Sequence, residues 1–235
     1  MLTETRSRLL EQIADAIIAD PAVVRVGVDG PDGSGKSILA GELAGVLRAQ
    51  GRPVVHLSID DFHQVRAIRY RRGRDSPEGF WLDSYDYDRF RARVLAPFAP
   101  GGSRLYRHAC HDLESDEIVD PPPRQAPAGA LLLVDGLFLH RDELAGAWDL
   151  SVFLDVPFTE TARRMASRDG TQPDPEHPGM RRYVQAQRIY YAACDPHHKA
   201  TFVVDNRDVA APVFKNPARS GASRAAPPPP RTTRE

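Results

Sequence analysis

Gly30-Pro31-Asp32-Gly33-Ser34-Gly35-Lys36-Ser37 is the stretch on which the fold turns. It satisfies G-x-x-x-x-G-K-[ST], a spacing that cradles phosphate when it joins a strand to a helix. Both neighbours are in place. Val23 to Val28 is a short, β-branched apolar run, and Leu39, Leu43, Val46 and Leu47 follow as a helical stripe. Glycines at 30, 33 and 35 let backbone N–H groups converge on phosphate oxygens with no Cβ in the way. Asp32, Ser34 and Ile38 complete the loop and the first helical turn, whose N-terminus adds positive potential. Lys36 offers a mobile cation to the outer phosphates, and the Ser37 hydroxyl can ligate Mg²⁺. The plain alternative is a glycine turn with no ligand. Against it, the chain has 28 Arg and only 3 Lys, and one of those lysines stands where the pattern needs it.

Working outward, apolar runs recur at Val54–Ile59, Leu131–Val134, Leu150–Leu154 and Thr201–Val204, with helical patterns between them, notably over 158–168 and 180–193. That alternation predicts an α/β fold: a five-stranded, mostly parallel sheet with helices on both faces. Leu2, Leu9, Ile13 and Ile17 predict an amphipathic N-terminal helix over 2–19, ended by Asp20-Pro21. A single domain is expected over residues 1–215. It carries an Arg-, Tyr- and Asp-rich insertion over about 63–125 and a short lid over about 164–182 whose DGTQPDPEHPG centre is too Pro-rich for a helix interior. From Asn216 onward, NPARSGASRAAPPPPRTTRE cannot offset its own ordering entropy and is expected to be a disordered tail over 216–235.

Composition narrows the function classes. With 31 basic and 32 acidic side chains the formal charge is −1, which argues against a dedicated nucleic-acid binder. Two cysteines, Cys110 and Cys194, exclude a disulfide scaffold and fit a reducing, cytoplasmic setting. No apolar run approaches the roughly 20 residues that span a bilayer, and the charged N-terminus does not read as a signal peptide. A small-molecule partner is therefore expected, with no membrane; a homo-oligomer is compatible with everything read so far.

Two further acidic motifs stand at strand ends, where open α/β sheets bind ligands. Asp135 closes ALLLVD and can hold Mg²⁺ directly or through water, or cap the segment that follows. Ser58-Ile59-Asp60-Asp61-Phe62-His63 closes the second run. Asp60 is expected to face the same crevice as Lys36, to orient an acceptor hydroxyl and to receive its proton. If the strand persists, Asp61 faces away, and the swapped assignment stays open. Arg163, Arg164 and Arg168 lie on a predicted helix, with Arg164 and Arg168 sharing a face, and Arg181 and Arg182 follow the Pro-rich segment. Such guanidinium forks suit phosphate oxygens, although Glu160 and Arg164 also form an ordinary i,i+4 pair. Tyr183, Tyr190 and Tyr191 read as packing.

GVDGPDGSGKS, SIDDFH, GFWLDSYDYDRF, LLLVDGLF and FLDVPFTETARRMASRD together resemble the uridine kinase family of P-loop kinases, over about Val23 to Asn206. The resemblance implies a P-loop NTPase three-layer sandwich that uses ATP or GTP with Mg²⁺ to phosphorylate a nucleoside 5′-hydroxyl. It implies a catalytic Asp60, supported by Lys36 and Arg168. Phosphate and nucleotide contacts fall on residues 30 and 32–38 and on Arg164 and Arg168, and Mg²⁺ support on Ser37, Asp60 and Asp135. The acid that holds ribose hydroxyls falls on Asp86, with Asp83 as competitor, and the base-pocket residues fall on Tyr106 and His111. His63 replaces a usual base-pocket Tyr, and His108 stands where an aromatic carbon ring is expected, so the acceptor is open. Nicotinamide riboside, pantothenate or a phosphosugar are the other small acceptors. A partly exposed polar strand would also explain Tyr106, His108 and His111, and His108, Cys110 and His111 could form a metal site. In a different class, a nucleotide-controlled regulatory protein could use RAIRYRRGR, Arg66–Arg74, to contact a partner or RNA.

Overall fold

Each of the five apolar runs becomes a strand of one sheet in the computed structural model, which describes residues 2–215; the expected tail over 216–235 lies outside the described residues. The strands in chain order are β1 (Arg25–Asp29), β2 (Val54–Ser58), β3 (Leu105–Tyr106), β4 (Arg124–Gln125), β5 (Leu131–Gly136), β6 (Leu150–Asp155), β7 (Phe202–Asp205) and β8 (Val213–Phe214). The helices are α1 (Glu4–Ala19), α2 (Lys36–Ala49), α3 (Arg66–Arg69), α4 (Pro77–Asp83), α5 (Tyr87–Phe90), α6 (Phe158–Asp169), α7 (Arg181–Cys194) and α8 (Pro196–Lys199). The main sheet runs β2-β5-β1-β6-β7-β8. The first five of these are parallel; β8 adds a short antiparallel edge that two residues, Val-Phe, could not announce in sequence.

The sheet has no polar face because helices cover both sides. On one side Leu10, Ile13 and Ile17 of α1 and Leu39, Leu43 and Leu47 of α2 meet Val26, Val28, Leu133 and Val152. Arg6 of α1 is buried among them and reaches Glu42 of α2 at 2.7 Å. On the other side Phe138, Phe153 and Tyr190 pack on Leu132 and Val134. Phe62, Phe80, Phe90 and Phe98, from within or beside the 63–125 insertion, enter this same core. Edge-to-face rings join the insertion to α7: Phe80 and Tyr183 have centroids 5.3 Å apart. Such pairs contribute about 0.5–1.5 kcal/mol each beyond burial. The insertion is thereby fixed above the carboxyl ends of β1, β2 and β5, where the acidic motifs lie. Among the described residues no helix is long and apolar enough to cross a membrane.

Candidate active site

β1 is buried from Val26 onward and delivers the glycine loop to the sheet's carboxyl edge. Asp29, at its end, accepts the Gly30 N–H at 2.7 Å through one carboxylate oxygen. The other oxygen meets His140 Nδ1 at 2.7 Å and accepts the Tyr190 hydroxyl. His140 Nε2 lies 2.9 Å from Ser151 Oγ, and its backbone N–H donates to Tyr190 Oη at 3.0 Å. Serine, histidine and aspartate meet here as in a hydrolase triad, but all of them are buried, so no substrate reaches the hydroxyl. The cluster is a brace that ties the start of the loop to β6 and α7.

In the loop, Gly33 has φ +72°, and a Cβ there would stand 2.7 Å from the Thr161 carbonyl of α6. Glycine is therefore needed both for the left-handed backbone and for the close approach of α6. Lys36 Nζ donates to the Pro31 carbonyl at 2.9 Å and so lies over the loop. Asn206 Nδ2 donates to the Ser34 carbonyl at 2.7 Å. Ser34 Oγ is buried without a partner, an unmet acceptor and donor inside the loop. Ser37 Oγ donates to Asp135 Oδ2 at 2.6 Å, and His56 Nε2 lies 2.8 Å from the other oxygen of Asp135. Ile38 is 65% exposed, and its backbone N–H lies in the first turn of α2.

Beside the loop a cavity of about 580 Å³ is walled by Asp32, Asp60, His63, Tyr85 and Leu137, and by Arg66, Arg69, Tyr70, Arg74, Phe80, Leu113, Arg182 and Tyr183. The strand leading to it stops at Ser58, and Ile59–Phe62 is a turn of 3-10 helix. Strand alternation therefore does not separate Asp60 from Asp61, contrary to expectation; the turn puts Asp60 on the cavity wall. Tyr85 donates its hydroxyl to Asp60 Oδ1 at 2.8 Å. Burial, then the negative charge of Asp60, holds the Tyr85 phenol well above its ordinary pKa, so it stays a donor. His63 Nδ1 lies 2.6 Å from the Asp60 carbonyl, and its ring packs 4.5 Å from that of Tyr85. Burial lowers the His63 pKa, partly opposed by Asp60. Asp32 is pushed up by burial, with Lys36 opposing. Asp61 is also raised, by burial and then by the charges of Asp60 and Asp135, so three carboxylates share one field.

Three residues expected at an acceptor pocket stand elsewhere. Asp86 caps α5, accepting the Arg89 N–H at 2.9 Å and pairing with its guanidinium at 3.4 Å. Tyr106 lies on β3 against Phe98, ring centroids 5.8 Å apart. His111 is buried with Nε2 3.0 Å from Asp116 Oδ1, and Asp116 in turn pairs with Arg69 at 3.3 Å. None of the three lines the cavity. Asp83 is taken by Arg71 and Arg72. Among the described residues no group of three or more His, Cys, Asp or Glu could hold a metal ion, so His108, Cys110 and His111 form no such centre.

Sequence reasoning missed Tyr85 and His56 as partners of the key carboxylates. A His inside the apolar run VVHLS and a Tyr among the aspartates of LDSYDYD carry no signal of their direction. Tyr183, read as packing, also borders the cavity. The lid proves mostly helical at its ends: α6 continues to Asp169 and α7 starts at Arg181. Arg163 and Arg164 both pair with Glu160, at 2.8 and 2.7 Å, and hold its carboxyl at about 2. Arg164 also donates to the carbonyls of Asn206 and Arg207 at 2.9 and 2.8 Å. Arg168 is paired with Asp169 at 2.7 Å. With Arg207 and Val209, these α6 arginines line a second cleft of about 480 Å³.

No family model and no curated protein matches the chain. Its fold is similar to that of a possible uridine kinase from Bacillus stearothermophilus, at 24% identity and TM-score 0.67, over 86% of this chain and 99% of the other. It is also similar to D-glycerate 3-kinase from Cryptococcus neoformans var. grubii, at 12% identity and TM-score 0.57, over 88% and 99%. Phosphoribulokinase from Rhodobacter spheroides aligns at 16% identity and TM-score 0.54, over 79% and 71%. At these identities the likeness is one of fold: the chain has the α/β architecture of the P-loop kinases.

Proposed function

We propose that the chain is an ATP- or GTP-dependent phosphotransferase that acts on a hydroxyl of a small molecule. One observation carries this reading: Asp60, held by Tyr85, faces an acceptor-sized cavity that also reaches the phosphate loop at Asp32. In this reading the acceptor hydroxyl hydrogen-bonds Asp60. Its oxygen attacks the γ-phosphorus, the bond from that phosphorus to the β-γ bridging oxygen breaks, the nucleoside diphosphate leaves, and Asp60 takes the proton. In this reading the backbone N–H groups of residues 32–38 and the Lys36 ammonium bind the phosphates. Arg164 holds the loop carbonyls, and Arg168 needs only to exchange Asp169 for a phosphate oxygen.

The oxygen donors at the loop suit a hard cation. Ser37 and Asp135, with Asp60 and Asp61 nearby, fit Mg²⁺, which keeps several waters and uses few protein ligands. When bound, Mg²⁺ would neutralise charge on the β- and γ-phosphate oxygens. Ser37 would present its hydroxyl, Asp135 would orient Ser37, and His56 would fix Asp135.

A nucleoside acceptor, as the resemblance implies, keeps His63 in the cavity but loses support from Asp86, Tyr106 and His111. A screen of nucleosides, sugars, sugar phosphates and sugar acids, following acceptor-dependent ADP release, tests the proposal. Nucleotide binding without transfer to any acceptor would favour the regulatory reading instead.

A further inference from the structure

The segment Arg66–Arg74 divides into two groups. Arg71 and Arg72 are neutralised by Asp83, outside the cavity. Arg66, Arg69 and Arg74 line the cavity and are joined there by Arg182 of α7. Three of these guanidinium groups surround one ring, that of Tyr70, at 5.3 Å for Arg69, 5.9 Å for Arg74 and 5.1 Å for Arg182. Arg182 is 8% exposed and Arg69 7%.

The four cations have little anionic compensation. Asp116 serves both Arg69, at 3.3 Å, and Arg66, at 4.0 Å. Among the described residues neither Arg74 nor Arg182 forms an ion pair; Asp75 acts on Arg182 only from a distance. Arg69 Nε is buried with no hydrogen-bond partner. Arg182 donates to the Arg74 carbonyl and stacks over Phe80 at 4.8 Å, but neither contact cancels its repulsion by Arg69. Desolvated like charges are unfavourable unless an anion joins them, and guanidinium forks are shaped for phosphate and carboxylate oxygens. Because Asp60 keeps to Tyr85 and makes no ion pair with these arginines, the cavity presents a hydroxyl-binding carboxylate and a separate cationic patch.

We infer that the acceptor is a polyol bearing its own phosphate or carboxylate, which Arg69, Arg74 and Arg182 hold while a hydroxyl of the same molecule meets Asp60. The inference rests on the phosphotransferase reading for the hydroxyl, but not for the anion. An RNA contact is disfavoured because two of the four arginines, Arg69 and Arg182, are buried against a cavity walled by Phe80, Tyr85 and Leu137.

The test is calorimetric titration of the full chain, saturated with Mg²⁺ and a non-hydrolysable ATP analogue so that the loop is filled. Ligands are inorganic phosphate, ribose 5-phosphate and fructose 6-phosphate, then D-glycerate and D-gluconate, then ribose, fructose and uridine. Transfer from ATP to each acceptor is measured in parallel. A phosphate or carboxylate arm should bind at least about tenfold more tightly than the neutral arm, and which one does so identifies the anion. Arg74→Ala, at an exposed position, should weaken that anion about tenfold, and Arg182→Gln by about 10–100-fold, the range of one or two charge-assisted hydrogen bonds. The Kd of the ATP analogue should stay unchanged in both. Equal or better binding of neutral ligands overturns the inference. So does failure of every anion to bind, or anion affinity unchanged in both folded variants. Salt-sensitive RNA retention, lost in Arg74→Ala without small-anion binding, also overturns it. Anion binding without phosphoryl transfer keeps the inference and sinks the kinase reading; transfer to neutral acceptors alone does the reverse.

Discussion

Replacing Asp60 with Asn isolates proton transfer from everything else the site does. The side chain is exposed at the cavity wall, and Asn keeps its shape and an oxygen that can still accept the Tyr85 hydroxyl. What changes is charge. The Tyr85 bond becomes neutral and loses about half its strength, roughly 1 kcal/mol, which is small beside the stability of a domain this size. The acceptor hydroxyl loses its proton acceptor, and positioned general bases contribute roughly 10²–10⁴-fold, or about 2.7–5.5 kcal/mol of barrier. We therefore expect kcat to fall by at least about a hundredfold, with the KM for ATP within about twofold and Tm nearly unchanged. Coupled ADP release under saturating nucleotide and the best acceptor measures the first two, and a thermal melt the third. A kcat within about threefold of the parent would refute the role of Asp60 as base. A matching loss of ATP affinity would place Asp60 with the nucleotide instead.

Three other perturbations follow from the structure. Gly33→Ala places a Cβ against the Thr161 carbonyl at a left-handed φ, so ATP affinity should collapse and stability drop by about 1–3 kcal/mol, seen by nucleotide titration and urea melts. His140→Ala leaves the Asp29 carboxylate buried without its imidazole and should destabilise the chain by about 3–5 kcal/mol; Ser151→Ala, which removes only the end of the brace, should cost about 1 kcal/mol, and an esterase assay should find no activity in the parent. Asp155 is held near 2 by His197 and then Lys215, so the contribution of this cluster is present above the ordinary carboxylate range and lost as pH falls from about 4 towards 2. Urea melts at pH 5 and pH 3 should show about 0.5–1 kcal/mol more acid loss in the parent than in Asp155→Asn.

The glycine loop and the five parallel strands were legible because each is announced by local chemistry: a fixed spacing in one case, short runs rich in Val, Leu and Phe in the other. Asp135 was legible as well, since a carboxylate closing an apolar strand has few other places to point. The candidate acceptor cavity was not. Its walls come from the turn after β2, from α3, α4 and α7, and from loops between, elements far apart in sequence with no shared periodicity. Asp60 reaches the cavity wall by another route than strand alternation, because a 3-10 turn replaced the last strand residue. Asp86 looked free in sequence, yet an Asp three residues before Arg89 at a helix start serves as a cap. The direction of the Arg66–Arg74 side chains depends on Asp83 and Asp116, whose pairing only the folded insertion reveals.

The Asp29–Tyr190 contact gives α7 a pivot. Tyr190 is pinned at the root of the phosphate loop, while Arg182 sits eight positions nearer the start of the same helix, about 12 Å away at 1.5 Å per residue. A rigid tilt of about 10° around the pinned ring would swing Arg182 by about 2 Å and leave Gly30 still. That is the difference between a guanidinium in hydrogen-bond contact and one a water molecule away. In the proposed reading, the loop that would hold the nucleotide is tied through Asp29 and Tyr190 to the helix that would carry Arg182 to the acceptor.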